Sequence, residues 1–444
     1  MIRLTQTLSE FIVEASPPHQ LDPVIAEAFG DCIGCILAGA ESEVAGRVAA
    51  AYATTLGEVR VLGAQDKTSP GIAALRMAVA GHAYDFDDWE ELGNTHPTVV
   101  IVPALLSVGA LAPVSQRVFC DAYAIGYEVI ARLGQAIGLE HYQRGFHTTA
   151  TLGALGAAAA TSRALALTIE ETRNALSLSA SQAQGYTVQF GSNAKPLQAG
   201  AAARVGVEAA LLARAGATAQ EKVLDDQRGL LGLLGEYNRG RIEKTLETLG
   251  APWGLEEMGL ILKPWPSCGY THRLMSAALE VRERLQERTA KITSIKAELP
   301  DFHRAILPFD APMNRNEALF SVPACVAQAL VDGSLSLEDG DLRFWERSEV
   351  ARLISLTEVI AVPAKRPELN YDPDQPDRLA VCVGSEEIEV SSQYPIGAPQ
   401  NPMSREQHIQ KFSSLSGLDE QTYDRLLDWH GVADITRHVK EALQ

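Results

Sequence analysis

The chain has 444 residues, a formal net charge of −18 and an apolar content of 46 %. That length predicts more than one core, and so acidic a balance disfavours nonspecific contact with nucleic acid or an anionic membrane. The six cysteines show no disulfide framework, and no long apolar stretch follows Met1-Ile2-Arg3, so no signal peptide is expected and the cytoplasm is the natural compartment.

Apolar residues recur at helical spacing over 5–13, 21–37, 42–55, 72–80, 99–111, 120–133, 149–164, 172–181, 195–215 and 241–249. Cys32 and Cys35 form a CxxC inside one of these patterns with no second pair, which reads as a buried helix face rather than a metal or redox site. The run 145–162 carries no formal charge. It is rich in Ala, Gly and Thr and contains His147, so a close-packed interior helix is expected rather than a membrane span. Thr168 and Glu171 have capping-box spacing, and glycine breaks at Gly185 and Gly191 separate later helices.

After Pro264 the pattern changes. Segments 291–299, 350–362 and 379–391 read as strands, the last a hairpin about Gly384-Ser385, with a helix over 320–331 between them. Ser404 to Gln407 is a second capping box, opening helical sequence expected to return to the N-terminal part. The predicted fold is therefore mainly α. A large helical domain is built from 1–268 and 397–444, and a smaller α+β domain from 269–396.

Four segments carry groups suited to chemistry. His82, Asp85, Asp87 and Asp88, with His96 nearby, form a carboxylate–imidazole cluster. Such a cluster suits acid–base or substrate-orienting work, a cation, or a solvated helix end. Its spacing matches neither an EF-hand nor a zinc motif. Tyr142, Arg144 and His147 stand before a helix start that Thr148 or Thr149 would cap, where a carboxylate is favoured. Lys195-Pro196 opens another helix, and a lysine at that positive end calls for an anion. It is no Walker A loop, because Ala194 precedes the lysine and no Ser or Thr follows it. Finally, Lys263, Cys268, His272 and Arg273 precede or begin a helix. The cations would bind carboxylates, and a cysteine there would have a lowered pKa and act as a thiolate.

Taken together, these segments resemble the MmgE/PrpD family. The matching stretches are His82 to Asp88 with His96-Pro97, Gly145-Phe146-His147, Lys195-Pro196-Leu197, Lys263-Pro264-Trp265-Pro266, Asn316 to Ser321 and Pro402 to Arg405. The resemblance spans essentially the whole chain. It implies a cofactor-free homodimer acting on a small polycarboxylate, with no metal and with the site between domains. It also implies a site containing Asp85, His96, His147, Lys195 and Lys263. Trp89, Cys268 and Gln198 depart from the family's decarboxylase pattern and look more like its iminodisuccinate epimerase branch. The expected activity is then epimerisation at a carbon next to a carboxylate. His147 and Cys268 would be the opposed proton carriers, with Tyr142 a substitute for either, and Arg144, Lys195, Lys263 and Arg273 the cations. His272, Gln198 and Asp88 would contact substrate. The alternatives are a 2-methylcitrate dehydratase-like hydro-lyase and a helical interaction module without activity.

Overall fold

A computed structural model describes residues 3–286, 288–367 and 369–444. Small side chains decide how its N-terminal helices pack. Helix Ala194–Arg214 lies against Pro70–His82 and Thr148–Ala164. A Cβ on Gly200 would come within 2.5 Å of Val79, and one on Gly206 within 2.4 Å of Ala157. Contacts this close leave no room for another methyl group, which accounts for the Gly/Ala bias of these segments. Helices Leu4–Glu14, Asp22–Gly39, Thr98–Val108, Gln116–Ile137 and Ile169–Ala180 complete the layers around them. Thr168 and Glu171 form the predicted capping box.

Apolar contacts fall into two main clusters. One runs from Leu4 to Leu260 and includes Phe412 to Ala442 from the chain's end. The returning helix Arg405–Ser416 packs on Asp22–Gly39, and Phe29 stacks on Trp429 with ring centroids 4.8 Å apart. The other cluster runs from Ile261 to Ala398 and takes in Trp89 and Tyr142. Those two side chains tie the second cluster to the segments that carry the polar motifs.

A small antiparallel pair, β1 (Val59–Arg60) and β2 (Lys67–Thr68), was not anticipated from the sequence. The main sheet contains β3 (Ile292–Pro300), β4 (Thr357–Val362), β5 (Asp377–Val383) and β6 (Glu386–Ser392), in the order β4-β3-β5-β6. Strands β3 and β4 are parallel and the other pairs antiparallel. Helices His272–Leu285 and Val322–Asp332 pack against it. The predicted strand over 350–362 needs correction. Its first half belongs to helix Ser348–Ser355, which buries Val350 and Leu353 at an i, i+3 spacing, and only Thr357–Val362 is a strand. No single helix among the described residues is long and apolar enough to cross a membrane.

Candidate functional site

Helix Pro70–His82 ends where the chain turns sharply, and Asp85 sits at φ 52. The left-handed region is costly for a residue with a Cβ, so other contacts must hold this turn in place. Lys411 supplies one. It donates to the Phe86 carbonyl at 2.8 Å and pairs with Asp31 at 2.6 Å. Downstream, Glu90 accepts from the Gly93 and Thr95 amides and from the Thr95 hydroxyl, and so closes the loop that returns His96 to the cluster.

Within that frame His82 Nδ1 donates to Asp87 at 2.8 Å. His96 Nδ1 donates to the Asp88 carbonyl at 2.7 Å, while its Nε2 lies 3.7 Å from Asp85 Oδ1. Asp85 Oδ1 accepts from both Lys195 Nζ and Lys263 Nζ at 2.7 Å, and Lys263 also reaches the Asp85 carbonyl at 2.7 Å. Burial alone would raise the Asp85 pKa, but the two ammonium groups hold its carboxyl well below the usual range. Burial would likewise depress Lys263, but Asp85 and Asp87 together raise it above its ordinary value.

His82, Asp85, Asp87 and His96 offer ligand atoms within 4.8 Å of one another. A cation there would share Asp85 with two ammonium groups already bonded to the same oxygen. Two lysines and two carboxylates balance without an ion, so these residues would hold a metal only at the cost of breaking those pairs.

Asp85, Lys195, His96, His147, Tyr142 and Cys268 line one cavity. His147 Nδ1 donates to Gln198 Oε1 at 2.7 Å, and the buried Nε2 has no partner among the described residues. Burial, then Lys195, pushes the His147 pKa well below its ordinary value, so the ring is neutral with a free lone pair on Nε2. Burial lowers His96 to about 4. Burial also keeps Tyr142 protonated.

The expectation of a thiolate at position 268 is corrected. Burial and then Asp85 push Cys268 up to about 11, outweighing the nearby Lys195 and Lys263, so the group is a thiol. Alkylation of Cys268 is therefore expected to accelerate about tenfold per pH unit from pH 7 to 10, because reactivity follows the thiolate fraction. Mass-spectrometric rates with iodoacetamide would check this, and a plateau by pH 8 would contradict it.

Several predicted contacts lie away from the cavity. Arg144 is exposed and donates to the Gly235 carbonyl at 3.0 Å. Arg273 is fully buried, 3.5 Å from Asp377 and 4.2 Å over the Tyr371 ring. His272 meets the Ser267 hydroxyl at 3.0 Å. Asp88 accepts from Thr98 in the core, and its carboxyl is driven up by burial. Gln198 acts through His147. Lys195 is thus the predicted cation that lines the cavity, and Lys263 supports it through Asp85. Sequence reading missed Phe190, Phe320 and Tyr270 as walls, and Asn94, which donates to the Tyr270 hydroxyl at 3.0 Å. Phe320 lies within the stretch Asn316 to Ser321, which was the signal that could have found it. Thr148 and Thr149 do not cap their helix by side chain. Thr149 accepts from the His96 amide at 3.0 Å, and Thr148 donates to the Asn94 carbonyl.

Comparison with known proteins bears on this site. The chain is 29 % identical to human (Homo sapiens) cis-aconitate decarboxylase over 386 residues, covering 83 % of this chain and 78 % of that protein. The Mus musculus cis-aconitate decarboxylase is 29 % identical over 320 residues, covering 69 % of this chain and 62 % of its own length. The Aspergillus terreus cis-aconitate decarboxylase is 26 % identical over 417 residues, covering 86 % and 82 %. Residues 6–242 match the MmgE/PrpD N-terminal domain and residues 265–429 the MmgE/PrpD C-terminal domain. With both domains matched in chain order over most of its length, this chain belongs to the MmgE/PrpD family.

Proposed function

We propose that the protein epimerises an amino- or imino-linked polycarboxylate such as iminodisuccinate, by removing and returning a proton at the carbon next to a carboxylate, with side chains alone. The observation that carries this reading is the pairing in one cavity of a neutral imidazole with a free nitrogen, His147, and a thiol kept protonated, Cys268. Interconversion needs a base on one face and an acid on the other, in opposite protonation states at the start. Tyr142, also protonated, can replace either as donor. Lys195, backed by Asp85 and Lys263, would hold the carboxylate on which negative charge develops.

A second reading is favoured by the relatives, which are named cis-aconitate decarboxylases. Loss of carbon dioxide needs a donor for the resulting carbanion but no base for a C–H bond, so it leaves His147 Nε2 without a task. Dehydration of a 2-methylcitrate-like hydroxy acid needs an acid at the leaving hydroxyl. Neither His96 nor His147 carries a proton on Nε2 at neutral pH to supply it, so that role would fall to Cys268 or Tyr142. A homodimer acting in the cytoplasm is part of the proposal, and sedimentation would test the dimer.

Proton NMR in D2O with iminodisuccinate stereoisomers, 2-methylcitrate and cis-aconitate separates these readings. Deuterium at the α-carbon with interconverted stereoisomers is expected. New alkene signals from 2-methylcitrate would move the assignment to a hydro-lyase, and carbon dioxide release from cis-aconitate to a decarboxylase.

A further inference from the structure

A second, smaller compartment shares Asp85, Lys195 and Phe320 with the main cavity. His82, Ser192, Asn193 and Asn316 add to its polar lining. His82 comes from the end of helix Pro70–His82, Ser192 and Asn193 from the turn and N-cap before helix Ala194–Arg214, and Asn316 from the short helix Arg315–Ala318. The Asn316 amide donates to Asn193 at 3.4 Å across the rim.

His82 is the telling group. It is 1 % exposed, its Nδ1 is committed to Asp87, and its Nε2 has no partner among the described residues. A buried polar atom left in this state is costly, and a bound ligand is one way to satisfy it. Among the described residues Asp85 is the only carboxylate in the lining, and two ammonium groups already hold it. Burial, with Lys195 nearby, lowers the His82 pKa against the pull of Asp87, so the unliganded ring is neutral and takes up its second proton, backed by Asp87, only as an anion reaches Nε2. Ser192, Asn193 and Asn316 also line an outer groove, so the compartment communicates with solvent on that side.

We infer that this compartment holds the carboxylate of a second, non-reacting arm of the substrate, bound by His82 Nε2 and the Asn193 and Asn316 amides. The inference rests on the polycarboxylate reading above. It makes the site selective for two-armed acids, with Lys195 at the junction between the reacting arm and the distal one.

Calorimetric titration with two probes tests it: iminodisuccinate, which has two arms, and N-methylaspartate, which has one. The wild-type protein is expected to bind the two-armed acid at least about tenfold more tightly, the scale of one charge-assisted hydrogen bond. Asn316→Asp sets a like charge beside the distal carboxylate and should shrink that gap to under about threefold. Asn316→Ala should narrow it less, and thermal melts confirm that both variants fold. No gap in the wild type, no binding of either acid, or a gap that survives in Asn316→Asp overturns the inference. Deuterium exchange on the same samples is read separately. If exchange fails while the gap and its closure hold, the epimerase reading falls and the compartment stands.

Discussion

Lys263→Met is expected to destabilise the protein by about 3 kcal/mol, at the low end of the range for removing one partner of a buried ion pair. Lys263 is fully buried and binds both the carboxylate and the backbone carbonyl of Asp85. Methionine keeps much of the volume and removes both bonds. Lys195 stays on the same carboxylate oxygen, which is why the loss should not reach the top of the range. The carbonyl it leaves belongs to a residue at φ 52, so the turn that aims Asp85 also loses an anchor. The pH dependence has a definite sign. The Asp85 pKa is held below its ordinary value of 3.8, so its contribution is fully present above about pH 4 and is lost as acid protonates the folded carboxyl. The gap between wild type and variant should be constant from pH 5 to 8 and narrow only in acid. Urea unfolding followed by circular dichroism measures it. A difference below about 1 kcal/mol at pH 7 would show that Asp85 does not depend on this lysine.

How much of this was legible in the sequence depended on the range of the interaction. Periodicity and capping boxes are local, so the helix at Ile169–Ala180 and the hairpin turning at Gly384 could be read directly. At 350–362 the local signal was ambiguous: one apolar run holds a helix and then a strand, and only burial of Val350 and Leu353 on one side resolves it. The candidate site divides in the same way. Motifs singled out Asp85, His96, His147, Lys195 and Cys268, which do share one cavity. Their charge states were not legible. A cysteine before a helix suggests a thiolate, but burial and the approach of Asp85, a residue far away in sequence, reverse that. Arg144 and Arg273 look like anion binders for their charge alone. Their partners, the Gly235 carbonyl and Asp377, are set by tertiary contacts that no spacing encodes.

The largest functional effect is expected from His147→Gln, which removes the basic nitrogen while keeping a polar side chain beside Gln198. Interconversion of stereoisomers should fall by about 10²–10⁴-fold, the usual contribution of a positioned base. Cys268→Ala should cause a loss on the same scale, because its thiol is the proposed proton carrier for the other face. The two variants should differ in which stereoisomer they still recognise. With His147 intact and Cys268 absent, the isomer whose α-hydrogen faces His147 can still be deprotonated and reprotonated from the same side. It exchanges deuterium without inverting. In His147→Gln the remaining group is a protonated thiol, so the opposite isomer should exchange only as the thiolate appears toward about pH 11. Stereoisomer-resolved NMR in D2O reads both outcomes at once. The acid–base assignment also predicts a pH profile. Base function requires neutral His147, whose pKa is held well below 6.5 by burial and Lys195, and acid function requires the Cys268 thiol, which ionises near 11. Between those limits the starting protonation states do not change, so activity should be nearly flat from pH 7 to 9. It should fall only as pH approaches the thiol's pKa, where the acid on one face is lost. If the double variant His147→Gln/Cys268→Ala retains turnover, or if both variants exchange both isomers alike, these two residues are not the proton carriers.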